Sequence, residues 1–496
     1  MQEQTQTVVI GAGPAGLTAA YELSKVGGAA TVLESGPHCG GLARTEQYKG
    51  YRFDIGGHRF YTKVAAVEKL WHELLGDDFL LRPRLSRIYY DGRFFKYPLE
   101  PMDAVLGLGA WQAIACLLSF AWAQMFPMRP ERTLDAWISN RFGRRLFETF
   151  FKSYTEKVWG MSCHEIDADW ASQRIRGLDI VSLLKHMLLP RRDANGSVPK
   201  TLIDAFHYPR LGPGMMWEAC AASIREMGGL VEHGARVERI RWEAGRVLGL
   251  ETADGRWFEG ANFISTMPVK ELMEAFDPAP PAEVLQAARG LRYRDFMTVA
   301  LILKQPEVFP DNWIYIHSPA VKVGRIQNFK NWSAEMVPAT DSTCLGMEYF
   351  CNEGDELWSM SDAELVALGS RELRQLGIGA ADAVVDGVVL RDKKAYPVYD
   401  DSYKRHLLVI REFLELVPNL QLVGRNGMHH YNNQDHSMLT GMMAARNILG
   451  ASYDTWKVNT DAEYLESGEI LSNDEWHGLV SSQPRVPAEA ERAAAS

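Results

Sequence analysis

The sequence lacks the cysteine patterns of a metal site or a disulfide framework. Its 496 residues include six cysteines, scattered without a Cys-x-x-Cys pair or interleaved histidines. This spacing predicts neither a zinc site nor a set of disulfides, so we expect no metal and a reducing cytoplasm. The chain starts MQEQTQTVVIGAG, which lacks the basic start and apolar stretch of a secretion signal.

The sequence also lacks a surplus of positive charge. Lys and Arg number 53 against 63 Asp and Glu, which gives a net charge of −10. Proteins that bind nucleic acids hold the phosphate backbone with excess Lys and Arg, so we expect no nucleic acid as a partner. An anionic ligand would have to be bound by a local cluster of arginines.

One long run, residues 104–123, lacks charged side chains altogether. Its sequence is AVLGLGAWQAIACLLSFAWA, in which only Gln112 and Ser119 are clearly polar. The run reaches the roughly 20 residues that span a bilayer, but its flanks continue as globular chain and a single span would split the fold. We therefore expect a buried or groove-lining helix, with peripheral membrane contact as the alternative.

What is present begins with a strand, a glycine-rich turn, a helix and a second strand over residues 6–35. Gly11, Gly13 and Gly16 form Gly-x-Gly-x-x-Gly directly after the first strand, where glycines allow close approach of the backbone to a pyrophosphate. Glu34 ends the second strand, so its carboxylate can accept hydrogen bonds from both ribose hydroxyls of an adenosine. The pattern predicts a dinucleotide site at the positive end of the helix.

A second glycine-rich stretch, GGLARTEQYKG at residues 40–50, indicates which dinucleotide binds. Gly41 allows close backbone approach, and Arg44 can reach the pyrophosphate. A Gly-Gly-x-x-Arg-Thr segment after the second strand resembles flavoproteins of the glutathione-reductase class, which include amine oxidases, protoporphyrinogen oxidases, phytoene desaturases and UDP-galactopyranose mutases. The resemblance implies that the cofactor is FAD.

The same resemblance implies an α/β fold. We expect a Rossmann-like FAD-binding domain of the glutathione-reductase class, with an inserted helical domain and a mixed β-sheet substrate domain. The expected boundaries are 1–85, 200–290 and 415–455 for the FAD-binding domain, 100–199 for the helical domain, 86–99 and 291–414 for the substrate domain, and 456–496 for a C-terminal extension with a disordered end.

The last predicted strand leads through GRNGMHHYNNQDHSMLTG, residues 424–441, into an apolar helix. In the glutathione-reductase class this helix places its N-terminus under the flavin, where its dipole stabilises negative charge on the reduced ring. We expect Asp435 or Ser437 to cap the helix. The resemblance implies further FAD contacts at Gly57, His58, Val237, Arg425, Gln434, Asp435, His436 and Ser437.

Three further stretches resemble UDP-galactopyranose mutases of the eukaryotic type. They are the segment FDIGGHRFYT at 53–62, the segment NWIYIHSPAVKVGRIQNFKNWS at 312–333, and the pair AYP at 395–397 with NNQDHS at 432–437. The resemblance implies that the backbone around His58 lies against the flavin N5 edge. It also implies a substrate site formed by Trp313, Tyr315, Arg325, Tyr396, Tyr431 and Asn433.

The function implied is a mutase that interconverts pyranose and furanose forms of a nucleotide sugar such as UDP-galactose. Reduced flavin N5 would act as the nucleophile, with NADH or NADPH as a candidate external reductant. His58, Tyr315, Arg325, Tyr396 and Tyr431 are the expected catalytic residues, because a departing diphosphate needs positive charge and hydroxyl donors. The protein could also form an oligomer.

Two other functions stay open on the sequence. An FAD-dependent oxidase or desaturase of a lipophilic substrate would explain the apolar run, and it predicts an apolar pocket without paired phosphate donors. A flavin-bound binding protein without turnover predicts bound FAD but no ligand that perturbs the flavin spectrum.

Overall fold

The computed structural model describes residues 6–97, 103, 107–168, 205–380 and 382–459. Much of the predicted helical domain, from 169 to 199, lies outside these ranges, as does the C-terminal extension beyond 459. The predicted disorder of the chain's end therefore stays a prediction.

A five-stranded parallel sheet forms the centre of the dinucleotide region. Its strands, in spatial order, are β20 (Leu420–Leu422), β13 (Asn262–Ser265), β1 (Thr7–Ile10), β2 (Ala30–Leu33) and β9 (Leu230–Glu232). Every residue of β1 and β2 is buried, as expected for parallel strands covered on both faces. The glycine-rich turn after β1 is therefore fixed at the carboxyl edge of a rigid sheet.

Smaller sheets surround this centre. One has four strands, β12 (Trp257–Glu259), β11 (Arg246–Thr252), β10 (Val237–Glu243) and β14 (Phe276–Asp277). Within this four-stranded sheet β10, β11 and β12 form an antiparallel meander. Two further sheets have two antiparallel strands each. One pairs β3 (Thr45–Tyr48) with β4 (Tyr51–Asp54), and the other pairs β5 (Phe79–Pro83) with β8 (Ala205–Pro209).

A seven-stranded mixed sheet forms the second large layer. Its strands, in spatial order, are β19 (Val384–Pro397), β15 (Tyr293–Leu303), β18 (Thr343–Cys351), β17 (Arg325–Asn328), β16 (Trp313–Ile316), β6 (Ser86–Tyr90) and β7 (Arg93–Lys96). All of β18 is buried, so this strand lies at the core of the sheet. Arg325 on β17 stands directly opposite Glu348 on β18.

Helices complete both layers. They are α1 (Pro14–Lys25), α2 (Ala65–Leu75), α3 (Ala110–Met125), α4 (Leu134–Phe142), α5 (Arg144–Leu146), α6 (Ser153–Trp159), α7 (Pro213–Glu226), α8 (Val269–Ala275), α9 (Ala282–Gly290), α10 (Phe329–Trp332), α11 (Glu356–Ser359), α12 (Asp362–Gln375), α13 (Tyr403–Leu414), α14 (Gly424–Gly427) and α15 (Gln434–Ile448). A π-helical turn, Phe147–Lys152, joins α5 to α6. The last helix packs against the first so closely that a Cβ on Gly441 would lie 2.2 Å from the carbonyl oxygen of Ala15.

The mixed α/β architecture is confirmed, but the expected burial of the apolar run is wrong. The only fully buried side chains of α3 are Ala113 and Ala123, while Trp111 is 82% exposed and Leu118 is 67% exposed. Only small side chains fit between α3 and its neighbours, because a Cβ on Gly143 would lie 2.6 Å from the backbone nitrogen of Phe120. Among the residues described, no helix has the length and apolar character needed to cross a bilayer.

Candidate functional site

The glycine-rich turn after β1 is shaped by contacts within the protein itself. Gly11 has a φ of +95°, and a Cβ there would lie 2.0 Å from Thr266 Oγ1. A Cβ on Gly16 would lie 2.0 Å from the carbonyl oxygen of Gly11. A Cβ on Gly13 would meet only the Cα of Gly41, at 3.9 Å. Gly11 and Gly16 are therefore required by packing, whereas Gly13 and Gly41 are close neighbours that border a gap lined by backbone, since a Cβ on Gly41 would lie 3.4 Å from the Gly13 Cα.

Glu34 is fixed beside this gap at the end of β2. Its carboxylate accepts hydrogen bonds from the backbone N–H groups of Ala12 and Gly36, both at 2.8 Å. The segment leading to Val237 runs alongside, because the N–H of Ala235 donates to the Glu34 carbonyl at 2.8 Å. Val237 itself is buried at the start of β10. Two predicted adenosine contacts thus come from neighbouring segments.

The helix that follows the turn presents its N-terminus to the same gap. Within the described residues no side chain caps α1, and its first turn carries no acidic residue. The first backbone N–H groups of a helix have no partner inside the helix and attract anions. The arrangement can therefore hold a pyrophosphate by backbone alone.

Arg44, which we expected to reach the pyrophosphate, forms hydrogen bonds with three groups of the protein. Its Nε donates to Glu46 at 2.6 Å, its Nη1 to the carbonyl of Gly41 at 3.0 Å, and its Nη2 to Asp392 at 2.8 Å. These bonds join the glycine stretch to β19. Arg44 thus holds the Gly41 loop in place, and direct contact with a phosphate stays a prediction.

The N-terminus of α15 is capped by a different residue from those expected. Asn433 is the cap, in a capping box with His436, and its backbone N–H donates to His436 Nδ1 at 3.3 Å. Asp435 and Ser437 lie within the first turn and are buried, so the prediction that one of them caps the helix is wrong. The physical reason is register: the helix begins at Gln434, and the cap must precede the first helical residue.

Gln434 is the clearest indication of a ligand at this helix. Both its side-chain nitrogen and its side-chain oxygen are buried without a hydrogen-bond partner in the described part of the chain. Buried amide groups are almost always paired. An orphaned amide on the first turn of a helix therefore fits a polar ring that would lie against it.

Gly56, Gly57 and His58 form a tight turn against β17. Gly56 has a φ of +81°, and a Cβ on Gly57 would lie 2.8 Å from Gln327 Nε2. Burial lowers the pKa of His58 to about 4, so its ring is neutral near pH 7. Its Nε2 lies 2.9 Å from the carbonyl oxygen of Ile55, and because a carbonyl only accepts, that nitrogen carries the proton.

Arg325 is held behind this turn by a partner that the sequence did not reveal. Its Nε donates to Glu348, which is fully buried, and Gln327 donates to the other oxygen of the same carboxylate at 2.8 Å. Burial alone would lower the pKa of Arg325, but the Glu348 carboxylate holds it well above its usual value. A Cβ on Gly56 would lie 3.6 Å from Arg325 Nη2. The guanidinium therefore lies directly beside the Gly56 turn.

Tyrosines surround this arginine on one side. The ring centroid of Tyr315 lies 5.6 Å from that of Tyr154 and 4.6 Å from that of Tyr97. Burial raises the pKa of Tyr154 well above its usual value, so its hydroxyl stays protonated and able to donate. Tyr154, on α6, was not among the substrate residues expected from the sequence.

A second arginine and two tyrosines close the other side. The rings of Tyr396 and Tyr431 stack with centroids 5.6 Å apart, and the guanidinium of Arg425 lies 4.6 Å from the Tyr431 ring centroid. Arg425 donates to the carbonyls of Asn432 at 2.9 Å and Ala395 at 3.1 Å. Among the described residues it forms no ion pair with a carboxylate, so its positive charge is not neutralised locally.

The structure brings most of the expected substrate residues together, but not all equally. The positive charges of Arg325 and Arg425 act to lower the pKa values of both His58 and Tyr396, which places all four groups in one cluster. Trp313 instead stacks on Trp332 at 5.3 Å and is 5% exposed, so it supports Tyr315 from the core. Asn433 is exposed as the helix cap. The roles assigned to these residues stay predictions.

These features together fit a flavin dinucleotide. A backbone-lined gap with a fixed acid suits an adenosine diphosphate, and the Gln434 amide suits a polar ring system. In the described ranges no group of His, Cys, Asp and Glu could hold a metal ion.

The family described as flavin containing amine oxidoreductase matches residues 14–449. An L-amino-acid oxidase of Crotalus adamanteus is 28% identical over 116 residues, 20% of this chain and 22% of that protein. A 1-hydroxycarotenoid 3,4-desaturase of Flavobacterium sp. is 34% identical over 101 residues, 19% of this chain and 20% of that protein. The chain thus spans about a fifth of the length of the curated relatives it matches.

Solved structures share the fold over nearly the whole chain at low sequence identity. Reduced UDP-galactopyranose mutase aligns with a TM-score of 0.79 at 20% identity, over 92% of this chain and 98% of that one. A protoporphyrinogen oxidase-like protein from Exiguobacterium sp. 255-15 aligns with a TM-score of 0.67 at 16% identity, over 90% and 99%. Identities this low establish the fold alone. Because the family match extends over most of the residues and these neighbours share the fold, the chain belongs to the flavin-containing amine oxidoreductase family.

Proposed function

We propose that the protein is an FAD-dependent mutase that interconverts the pyranose and furanose forms of a nucleotide sugar resembling UDP-galactose, without net oxidation. The observation that supports this most is the cluster of two arginines and four tyrosines beside the Gly56 turn. The proposal includes a dinucleotide domain of the glutathione-reductase class, with NADH or NADPH as the external reductant.

The charge of the cluster suits a diphosphate. Arg325 is paired with the Glu348 carboxylate, so the pair carries no net charge, but the Nη groups of Arg325 lie on the side of Gly56. Arg425 adds a positive charge without a carboxylate partner in the described part of the chain. Charge-assisted bonds from guanidinium groups to phosphate are among the strongest hydrogen bonds in proteins.

The tyrosines supply neutral donors for the same leaving group. Tyr315 and Tyr154 lie on the Arg325 side, and Tyr396 and Tyr431 lie on the Arg425 side. Burial raises the pKa of Tyr396 as well as that of Tyr154, so both hydroxyls remain donors throughout the physiological range. Preorganised donors of this kind stabilise charge as it develops on a departing group.

The Gly56 turn provides space rather than an acid or a base. A reduced flavin bound here would supply a nucleophilic nitrogen for the anomeric carbon of the sugar. His58 stays neutral and points its Nε2 proton at Ile55, so it fixes the turn and does not exchange protons with a substrate near pH 7. A Cβ on Gly57 would lie 2.8 Å from Gln327 Nε2, so this glycine lets the turn pack closely on β17.

An FAD-dependent oxidase or desaturase of a lipophilic substrate is the second candidate. The partial sequence matches favour it, because those relatives are named as an oxidase and a desaturase. The cluster argues against it, because an apolar substrate gains nothing from two partly buried guanidinium groups whose desolvation must be offset.

The ratio of product to electrons separates these functions. Purified protein would be reduced with dithionite, NADH or NADPH under anaerobic conditions, and UDP-galactose conversion followed by chromatography. A mutase forms many products per electron pair, and oxidised protein is nearly inert. One product per pair, or turnover only with oxygen, would establish the oxidase instead.

A flavin-bound protein without turnover gives a third result in the same experiment. It shows no conversion in either redox state and no spectral change on titration with UDP or UDP-galactose. Other nucleotides and sugars, tested in the same titration, would define which substrate the cluster selects.

A further inference from the structure

The exposed side of helix α3 carries several large apolar side chains close together. Trp111, Leu118, Trp122 and Met125 are exposed by 82%, 67%, 63% and 64%. Soluble proteins expose single apolar side chains commonly, but contiguous apolar patches mark interaction surfaces. We define these four residues as the α3 face.

The spacing of the α3 face puts its members on one stripe. Positions 111, 118, 122 and 125 follow intervals of seven, four and three residues, which return to the same side of a helix. Trp111 and Trp122 are 11 residues apart, roughly 16 Å along the axis. A helix lying flat on a surface would therefore place both indole rings at one depth.

The chemistry of this stripe fits the boundary between lipid tails and headgroups. Tryptophan concentrates at that boundary because its ring is apolar and its N–H is polar. Residues 107–128 contain no charged side chain, so nothing along α3 would have to be desolvated. The helix is too short to span, and its opposite side packs on α4 and α5.

The rim of the α3 face is basic although the whole chain is acidic. Residues 107–152 hold six Arg and Lys against three Asp and Glu, in a chain of net charge −10. Two of the acids are bonded to arginines, Glu131 to Arg141 and Glu148 to Arg144. Asp135 is buried. Local charge of this sign attracts anionic surfaces.

Arginines border α3 along its length. Arg145 lies beside both its start and its middle, with its side chain 3.5 Å from Gln112 and its backbone N–H bonded to Ser119 at 3.0 Å. Arg144, on the same turn, has a side chain that is 69% exposed. Basic side chains flanking an apolar stripe are the arrangement of helices that lie in a membrane interface.

We propose that the α3 face docks on an anionic lipid surface, with α3 parallel to the membrane plane. A second copy of the chain suits the face less well, because a symmetric contact through the same patch would bring the arginine rims together. The proposal is independent of the reaction that the enzyme catalyses.

Vesicle flotation with the purified flavoprotein tests the proposal. Phosphatidylcholine vesicles with and without phosphatidylglycerol are the probes. We expect co-flotation with the anionic vesicles, weakened by salt because exposed charges are screened. Leu118→Glu should reduce the bound fraction at least about tenfold, since one apolar anchor is replaced by a charge.

Matched variants separate the apolar face from its charged rim. Leu416→Glu is the control, because Leu416 is 66% exposed and lies away from α3; it should float like the parent. Arg144→Gln with Arg145→Gln should weaken binding to anionic vesicles severalfold, with no effect on neutral ones.

Three results would overturn the proposal. The first is no flotation with either vesicle. The second is a dimer in light scattering that Leu118→Glu disperses. The third is a fall in melting temperature with Leu118→Glu but not with Leu416→Glu, which would mean that the face is packed within the protein.

Discussion

The dinucleotide turn and the arginine–tyrosine cluster bind by opposite means. At the turn, Gly11, Gly13 and Gly16 offer backbone, and the charged side chain nearest to them, Glu34, is held by backbone N–H groups. In the cluster, side chains from several distant segments converge, and the backbone serves to carry them. Ligand binding in the first region therefore depends on the absence of side chains, and in the second region it depends on the side chains themselves.

This difference decides how each region responds to change. Adding one methyl group at Gly16 meets a backbone oxygen that cannot move, because the sheet and α1 fix the backbone. Removing one side chain from the cluster leaves the backbone intact but leaves a partner without its charge or hydrogen bond. Substitutions at the turn should act through steric clashes, and those in the cluster should act through lost charges and hydrogen bonds.

The largest effect is expected from Gly16→Ala, which should destabilise the fold and abolish FAD binding together. The added Cβ would lie 2.0 Å from the Gly11 carbonyl oxygen, a clash with backbone that is more severe than the ordinary overpacking that costs about 1–3 kcal/mol, so the loss of stability should be the greatest of these variants. Melting temperature and the ratio of flavin to protein absorbance measure the two effects.

Gly13→Ala is the matched control at the same turn. Its Cβ would meet nothing closer than 3.9 Å, so the protein should fold normally and yet lose FAD, because the methyl group would point into the gap. If Gly13→Ala retains full flavin, the gap beside Gly13 and Gly41 does not hold the pyrophosphate.

The next effect concerns Arg325→Ala, which should act on both binding and stability. Loss of a charge-assisted bond to a diphosphate should weaken UDP binding by roughly 1.5–3 kcal/mol, with FAD content unchanged. The change also leaves Glu348 buried without its partner, which should cost about 3–5 kcal/mol of folding free energy. Calorimetric titration with UDP and thermal unfolding give the two values.

A double variant separates the two consequences. Arg325→Ala with Glu348→Gln removes the unpaired charge, so stability should recover while UDP affinity stays low. Glu348→Gln alone should leave UDP binding unchanged or tighter, because Arg325 is no longer neutralised. Recovery of UDP binding in the double variant would exclude Arg325 from the site.

The turn could be predicted from the sequence because all of its constraints are local. Gly11, Gly13, Gly16 and Glu34 fall within 24 consecutive residues, and each needs only the strand–turn–helix context that the same residues specify. Gly11 and Gly16 have no room for a Cβ, which is the kind of constraint that fixes a residue type. Spacing alone was therefore enough.

The cluster could not be predicted in the same way because its partners meet only in three dimensions. Glu348 lies in TCLGMEYFC, a strand that is buried throughout, and nothing near it in the chain indicates that its partner is Arg325. Arg325, Tyr396 and Tyr431 were reached by resemblance, not by periodicity. An acid inside an apolar strand was the one signal that could have suggested a buried ion pair.

Two expectations from the sequence were wrong, the helix cap and the burial of the apolar run, because in each case one sequence pattern fits several structures. The segment NNQDHS contains several residues able to cap a helix, and only the register of the first helical residue selects Asn433. An apolar run such as 104–123 fits a core helix, a span or a surface helix equally well. Its exposure depends on how the segment around Gly143 packs against one side of it, and the run itself does not encode that packing.

The smallest effect compares two tyrosines from neighbouring loops, one before α13 and the other before α15. Tyr431, expected from the resemblance, faces the cluster beside Arg425 and Tyr396, whereas Tyr399 is buried and its hydroxyl accepts the backbone N–H of Tyr431 at 2.7 Å. Tyr431→Phe should weaken UDP binding by about 1 kcal/mol with little change in stability, because one neutral hydrogen bond to ligand is lost. Tyr399→Phe should do the reverse, since it leaves a backbone N–H without its acceptor and removes nothing that faces a ligand. Calorimetry and thermal unfolding of both variants give the answer: equal losses of UDP affinity would mean that Tyr431 acts only through the position of its loop, and that the cluster binds its ligand through the arginines alone.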